Sequence, residues 1–475
     1  MRIKFSIEGV EKLEGLVTLI LAAGLGKRMK SKHPKVIHKV CGKPMIEWVV
    51  DAVEKIGSNE VIVVVGHKAE EVKEVLKERV KYAYQEVQLG TGHAVMMAED
   101  LLPEEGNVLI LTGDTPLITS NTLKELINFH IKEHNSVTIL SSVLEDPTGY
   151  GRIIRDESGN VIKIVEDKDA TEEEKSIHEI NSAMYVMDIA KLKKALRRIT
   201  NNNAQGEYYL TDAVEIIRDM DGKIGAFTVP SEEITGVNSR VQLFEAEKIM
   251  RKRINYRHME NGVTIVDPDT TYIGAEVEIG ADTVILPGCV IEGKTKIGSD
   301  CEIGPNCRIV DSEIGDGCSV TYSVILSSKI GNNVKIGPFA HIRPETVIQS
   351  NVKIGDFVEI KKSIIDEGSK VPHLTYVGDA EVGKNVNMGC GSITVNYDGK
   401  QKYKTVIGDN VFVGCNVNLV APVKIGNNAY IAAGSTITEN VPEGALAIAR
   451  NRQTNKEGWV QERIKKGGFK LNGKI

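Results

Sequence analysis

Two groups of residues have types and spacings that suit chemistry. The first follows an apolar run near the N-terminus: Leu21-Ala22-Ala23-Gly24-Leu25-Gly26-Lys27-Arg28-Met29, with Pro34-Lys35 a little further on. Glycines at such a place let backbone N–H groups approach phosphate oxygens, and Arg28 and Lys35 add positive charge. Neither common phosphate motif is met. Met29 stands where a dinucleotide fingerprint needs its third glycine, and the Gly-Lys-Ser/Thr of a P-loop is absent. Asp114 ends the run NVLILTG. If that run is a strand of a parallel sheet, its carboxylate lies at the carboxyl edge, where ligands collect. Taken alone, such an Asp is equally a turn cap. The second group is Arg343, Lys361 and His373, which interrupt an otherwise apolar, Gly-rich repeat. Two cations suit an anion, and a histidine titrates near neutrality, as a proton acceptor should. An isolated histidine in a repeat is equally an exposed turn residue.

The elements that must position these groups differ between the two halves. In the first half, VTLILAAG, EVIVVVGH and NVLILTGD are strand-length apolar runs, separated by helical patterns such as MIEWVVDAVEKIG and AEEVKEVLKERV. Strands alternating with helices predict an α/β doubly wound, Rossmann-like domain over 17–238 with a parallel sheet. Residues 1–16 form an extension before it. Leu243, Ala246, Met250 and Ile254 have helical spacing, so 239–261 reads as a linker helix, with Arg251-Lys252-Arg253 on a solvated face. In the second half, Ile273, Ile279, Ile285, Ile291, Ile297, Ile303 and Ile309 recur every sixth residue. The phase slips near 314, and further ladders run from Ile330 to Ile360 and from Ile407 to Ile437. A period of six fits neither helix nor ordinary strand and predicts a hexapeptide-repeat parallel β-helix over 262–440, of roughly ten coils. The stretch 394–405 reads as an external loop. The tail, 441–475, carries Lys456, Lys465, Lys466, Lys470 and Lys474, and is either a disordered end or an arm toward a neighbouring subunit.

A formal charge of −6 implies no general nucleic-acid surface. Leu16–Ala23 is too short to span a membrane, and no signal peptide is evident, so the protein is expected in the cytoplasm. The seven cysteines include no CxxC pair, which argues against structural zinc and fits a reducing compartment. A soluble β-helix of this kind suits an acyltransferase, a zinc hydratase or a scaffold. Only His341 and His373 fall within 262–440, too few for a histidine-bound zinc.

Beyond residue 16 nearly the whole chain resembles the sugar-1-phosphate nucleotidylyltransferases. It is closest to their bifunctional bacterial type, with N-acetylglucosamine-1-phosphate uridylyltransferase and glucosamine-1-phosphate N-acetyltransferase activities. The resemblance rests on LAAGLGKRM with Pro34-Lys35-Val36, QLGTGHA at 88–94, GDTPL at 113–117, DPTGYGRI at 146–153, IVEDKDA at 164–170, EIN at 179–181, NNNAQGEYYLTD at 201–212, GVNSR at 236–240 and HLTYVGDAE from 373.

The resemblance implies a left-handed β-helix and synthesis of UDP-N-acetylglucosamine, with acetyl-CoA and UTP as co-substrates and Mg²⁺ as cofactor. Asp114 and Asn238 would hold Mg²⁺, and Arg28 and Lys35 would steady the phosphates. Leu21, Ala22, Ala23, Gly24, Gln85, Gly90 and Thr91 would take the nucleotide, and Gly151, Glu166 and Asn181 the sugar. His373 would be the base of acetyl transfer. Arg343, Lys361, Tyr376, Asn387 and Lys402 would bind glucosamine 1-phosphate. Cys390, Cys415, Ala433 and Arg450 would lie along acetyl-CoA, and Asn396 and Tyr397 would contact either the coenzyme or the sugar. The partners are small molecules and further copies of the chain in a homotrimer, with no nucleic acid or membrane. Departures are Lys27 for the usual Thr, Thr112 where an aromatic often sits, and Cys390 and Cys415 where Ala and Ser are usual.

Overall fold

The computed structural model describes residues 3–5, 11–13 and 15–468. The rest of the N-terminal extension, together with Lys470 and Lys474 of the tail, lies outside the described residues. The chain divides into two compact units, Met1–Arg257 with Tyr272–Ala275, and His258–Thr271 with Glu276–Ile475.

The first unit is built on a nine-stranded sheet. Its parallel part places Leu16–Leu21 between Asn107–Thr112 and Glu60–Val65, with Lys81–Tyr84 outside the latter. Alternate residues of these strands point to opposite faces, and both faces are covered. Leu19, Ile62, Val64 and Ile110 enter one core, while Ile20, Val63, Val65, Leu109 and Leu111 enter the other. Burial on both sides explains why the runs are continuously apolar rather than alternating. From Leu16–Leu21 the chain first adds strands on one side, then returns to add Asn107–Thr112 on the other. That reversal opens a crevice at the carboxyl ends of these two strands.

The sheet is mixed rather than all parallel. Glu179–Asp188 runs antiparallel to Asn107–Thr112, and Val137–Val143 and Arg152–Arg155 pair antiparallel with it in turn. Sequence patterning did not reveal this, because a ten-residue strand crossing several neighbours need not alternate cleanly. Residues 3–5 and 11–13 form a short antiparallel hairpin. The 21-residue helix Arg240–Glu260 follows the sheet domain. Ala246, Met250 and Ile254 are its buried stripe. The basic run on it is not simply solvated: Arg253 donates to the Leu117 carbonyl at 2.6 Å, and the Lys252 ammonium lies 5.4 Å from the centroid of the Tyr256 ring.

The second unit is a hexapeptide β-helix with three parallel faces, of eleven, ten and nine strands. The faces begin at Thr264–Ile265, Tyr272–Ile273 and Glu278–Ile279. Each short strand turns one residue inward, which is the six-residue ladder: Ile285, Ile291, Ile303, Ile309, Ile342 and Ile360 are fully buried. Each such side chain contributes about 1.5–3 kcal/mol over leaving it in water. Many corners need a left-handed backbone, supplied by Asn306, Asn333, Asn351, Asn385, Asn410, Asn416 and Asn428. Asparagine tolerates this conformation better than other residues with a Cβ. The excursion from the coil is shorter than 394–405, since Ile393–Val395 and Thr405–Ile407 are strands of the prism; between them a small hairpin is closed by a Tyr397–Lys402 bridge, with Asp398 Oδ1 accepting from the backbone of Lys400 and Gln401, each at 2.7 Å. The β-helix runs past 440, because Val441 is buried and Leu446–Ala447 is the last strand of the eleven-stranded face; residues 448–468 are exposed and contain the helix Trp459–Lys465. No helix of the described residues is long and apolar enough to cross a membrane.

Candidate active sites

The glycine loop leaves Leu21 and bends at Gly26, whose φ of 58° is left-handed. A Cβ there would also stand 2.8 Å from Lys35 Cβ. Glycine at 26 therefore lets Lys35, in the short 3-10 helix Lys35–Ile37, come up against the loop. The Lys35 ammonium bonds the Asp114 carboxylate and donates to Asn238 Oδ1 at 2.8 Å. Three residues far apart in sequence thus meet at the switch point of the sheet.

Two adjoining clefts share this place. One, of about 440 Å³, is lined by Leu21 to Lys27, Lys35, Gln85, Gly90, Thr91 and Asp114, with Gln88 and Glu207. Gln85 is buried and fixed, its amide nitrogen 3.0 Å from the Gly90 carbonyl and 3.1 Å from His93 Nδ1. Gly90 has φ 109°, and a Cβ on it would meet the Tyr208 carbonyl at 2.5 Å. The other cleft, of about 240 Å³, is lined by Asp114, Tyr150, Gly151, Glu166, Asn181, Thr211 and Asn238. A register shift between Asn181 and Tyr185, with Ala183 at φ 61°, bends that strand. Such bulges re-aim side chains. Asn181 is held there by donating to the Tyr185 hydroxyl at 2.8 Å and accepting from the Ala183 backbone at 3.1 Å. Burial pushes the Glu166 carboxyl above its usual range, opposed by the Thr211 hydroxyl, which donates to it at 3.2 Å. Arg28 lines neither cleft and is exposed on the 3-10 helix Lys27–Met29, although its charge is felt by the Tyr150 phenol.

Tyr150 and Thr211 line the smaller cleft and Arg152 supports it; each lies within DPTGYGRI or NNNAQGEYYLTD, but residue type alone does not mark it out. Arg152 is 2% exposed and bonds the Tyr150 carbonyl and Asp167, at 3.1 Å for the latter. A buried charge without partners is costly, so this arginine is a clamp on the Tyr150–Gly151 turn.

On the β-helix, Arg343, Lys361 and Tyr376 share the second face. Arg343 lies one coil from Ile360 and is bonded to Glu359 at 2.7 Å, and Lys361 is in register with Gly378, as Glu359 is with Tyr376. Lys402 approaches Lys361 from the hairpin, and the closeness of that second ammonium holds Lys402 below the usual lysine range. Two cations held together suit an anion. Asn396 donates to Asp379 at 2.5 Å and to the Tyr376 hydroxyl at 3.4 Å, while Tyr397 is exposed. Asn387 is not with this set: its strand pairs with Lys370–His373 and Phe412–Val413 on the first face.

His373 ends the strand Lys370–His373, at a corner after the first face. Counting three residues on from the register pairs Lys370–Asn387, Asn387–Phe412 and Phe412–Tyr430 gives Cys390, Cys415 and Ala433 in the following coils. Backbone bonds from Asn416 to Cys390 and from Gly434 to Cys415 tie these coils at the same edge. Arg450 ends beside it, where a Cβ on Gly434 would meet Arg450 Cδ at 3.6 Å. Histidine, two thiols, a methyl group and a guanidinium therefore run along one edge of the prism. The other five cysteines are buried and all seven are free.

Residues 18–162 match the MobA-like NTP transferase domain family, and residues 276–311, 327–362 and 404–439 match the bacterial transferase hexapeptide (six repeats) family. The chain is 97% identical over 455 residues to the Bifunctional protein GlmU of Thermoanaerobacter pseudethanolicus, covering 96% of this chain and 100% of that one. It is 80% identical over 455 residues to the protein of that name from Caldanaerobacter subterraneus subsp. tengcongensis, with the same coverage of 96% and 100%. It is 60% identical over 457 residues to that of Acetivibrio thermocellus, covering 96% and 98%. With a nucleotidyltransferase unit and a hexapeptide transferase unit in one polypeptide, the chain belongs to the GlmU family of bifunctional enzymes.

Proposed function

We propose that the protein makes UDP-N-acetylglucosamine at two separate sites. On the β-helix, acetyl-CoA acetylates glucosamine 1-phosphate. In the α/β unit, N-acetylglucosamine 1-phosphate attacks the α-phosphorus of UTP and pyrophosphate leaves. The convergence of Lys35, Asp114 and Asn238 on the seam of two clefts carries this reading. One cleft takes the nucleotide against Leu21, Ala22, Ala23 and Gly24, with Gln85, Gly90 and Thr91 at the base. The other takes the sugar against Gly151, Glu166 and Asn181. The reacting phosphates then meet at the seam, where Lys35 offsets their charge and Arg28 adds a cation at the loop's rim.

Mg²⁺ fits the same place. Asp114 and Asn238 present hard oxygen donors that already converge on one cation, the Lys35 ammonium. Among the described residues no group of three His, Cys, Asp or Glu side chains is placed for a metal. Mg²⁺ would therefore be held by Asp114 and Asn238 together with phosphate and water oxygens, as this ion commonly is. When bound it neutralises charge on the phosphates.

In acetyl transfer the Arg343, Lys361 and Lys402 cations take the phosphate of glucosamine 1-phosphate, with Tyr376 and Asn387. His373 accepts the proton that the amine gives up as its nitrogen forms a bond to the acetyl carbon. The carbon–sulfur bond breaks, and the departing CoA thiolate takes up the proton. Acetyl-CoA lies along Cys390, Cys415, Ala433 and Arg450, with Asn396 and Tyr397 at its reacting end. Asn387 lies on a different face of the prism from the cationic set of its own chain, which favours a homotrimer whose acetyl-transfer sites are completed between neighbouring copies. Seven free cysteines suit the cytoplasm.

The test is an assay of the full-length protein with both substrate sets, following CoA release and UTP-dependent pyrophosphate release. His373→Ala should remove the first and spare the second. Wild-type protein that releases pyrophosphate but no CoA would instead be a single-activity enzyme whose β-helix only assembles or regulates it.

A further inference from the structure

The proton on a histidine used as a base must sit on the nitrogen that faces away from substrate. One coil below His373, at a spacing of 17 residues, stands Asp356, and the two are partners in the strand register. Asp356 Oδ1 is 2.6 Å from His373 Nδ1. An ionised carboxylate can only accept, so this contact needs a proton on Nδ1 and leaves the lone pair on Nε2. The Asp356 carboxyl is itself held below its usual range, mainly by its hydrogen bond to His373. Both side chains remain partly open, His373 at 54% and Asp356 at 38% exposure, so Nε2 is accessible from the edge along which Cys390, Cys415 and Ala433 follow.

We propose that Asp356 is a positioning residue for acetyl transfer: its carboxylate fixes the His373 ring with Nδ1 protonated and Nε2 free to take the proton from the amine. This rests on the reading of His373 as the base. Asp356 accepts the Nδ1–H throughout and takes no proton itself, and the negative charge steadies the imidazolium that forms when Nε2 is protonated. The other charged groups of the packed strands are Lys353, which precedes Asp356 on its strand and is felt by it, Lys370, which begins the strand of His373, and Lys335, in register with Lys353 from the coil before. From the next coil the Asn387–Met388 strand brings no charge, and the thiol of Cys390 is the titratable group beyond it. Asp356 is thus the anion in contact with the ring, and Lys353 opposes protonation of that carboxylate.

The experiment compares wild type, Asp356→Asn, Asp356→Ala and His373→Ala as full-length proteins, with kcat and KM for acetyl transfer across pH. Asp356→Asn keeps an acceptor but loses the charge. Its kcat should fall about tenfold, with KM for both substrates little changed. The split between a reduced kcat and an unchanged KM marks lost orientation of the ring rather than lost substrate binding. Asp356→Ala, which loses the acceptor too, should fall further. UTP-dependent pyrophosphate release by the same samples reports that each variant is folded. If His373→Ala is inactive in acetylation while Asp356→Asn and Asp356→Ala keep wild-type kcat, Asp356 has no positioning role and the base reading stands. If His373→Ala acetylates normally, both readings fall.

Discussion

Lys35 Nζ donates to Asn238 Oδ1 across 2.8 Å, although 203 residues of chain separate them. The same ammonium bonds Asp114, so one cation already lies between the two oxygen donors assigned to Mg²⁺. Asp114 and Asn238 would hold Mg²⁺ in place of the Lys35 ammonium, which would leave Lys35 to offset phosphate charge.

Asp114→Ala removes one of the two protein oxygens and the anionic partner of Lys35. Uridylyl transfer should fall by about a hundredfold or more, a loss typical of removing a group that organises transition-state charge. Acetyl transfer, in the other unit, should stay within about twofold. Measuring pyrophosphate and CoA release in parallel checks this, and equal losses in both would mean the substitution unfolds the protein. Chelation with EDTA should reproduce the selective loss without touching the chain.

Much of this architecture was legible because it is periodic or local. Ile273 to Ile309 recur every six residues and become one inward column per face, so the β-helix could be read from side-chain type alone. Asp114 was legible because an apolar strand ends beside it. Contacts between coils were not. Asp356 and His373 are 17 residues apart, one coil in this solenoid, and writing the sequence out by coils would have brought them together. The same count would have put Asn387 on a different face from Lys361. The antiparallel strand Glu179–Asp188 was hidden because its pairing with Asn107–Thr112 depends on tertiary packing, and the bulge that aims Asn181 leaves no pattern at all.

Acid stability should carry the mark of Asp212, half-buried at the start of the helix Asp212–Arg218. Burial, with Glu215 and Asp169 nearby, pushes its carboxyl from 3.8 up to about 6. The folded state therefore binds this proton more tightly than the unfolded state does. The resulting stabilisation is fully present below about pH 4 and is lost as pH rises through about 6. Asp212→Asn removes this contribution, so its Tm relative to wild type should rise between those limits. A difference in Tm that does not vary with pH would contradict the assignment.

Ile360 is fully buried directly before Lys361 and is in register with Ile342 and Val377. Ile360→Ala should cost about 2–5 kcal/mol through lost burial and a cavity. Because each coil contacts mainly its neighbours, the damage stays near the Lys361 strand and does not spread evenly along the prism. Acetyl transfer should be lost on heating before uridylyl transfer, as activity assays after stepwise heating would reveal. Simultaneous loss of both activities would indicate that the two units unfold together.

Thiol chemistry separates the two sites in a different way. Cys415 is exposed and Cys390 partly so, whereas Cys41, Cys289, Cys301, Cys307 and Cys318 are buried. An alkylating reagent needs an accessible thiolate, so Cys415 should react first, Cys390 next, and the rest only on unfolding. Both accessible thiols lie on the edge that carries His373, where an added group would block a pantetheine arm laid along it as proposed above. Iodoacetamide should therefore abolish acetyl transfer while uridylyl transfer continues, and saturating acetyl-CoA should slow the loss. Cys415→Ser with Cys390→Ala should acetylate normally and resist the reagent. Peptide mapping by mass spectrometry identifies the modified sites. Alkylation of both cysteines with acetyl transfer intact would remove this edge from the acetyl-CoA site and leave the cofactor to be placed on another face.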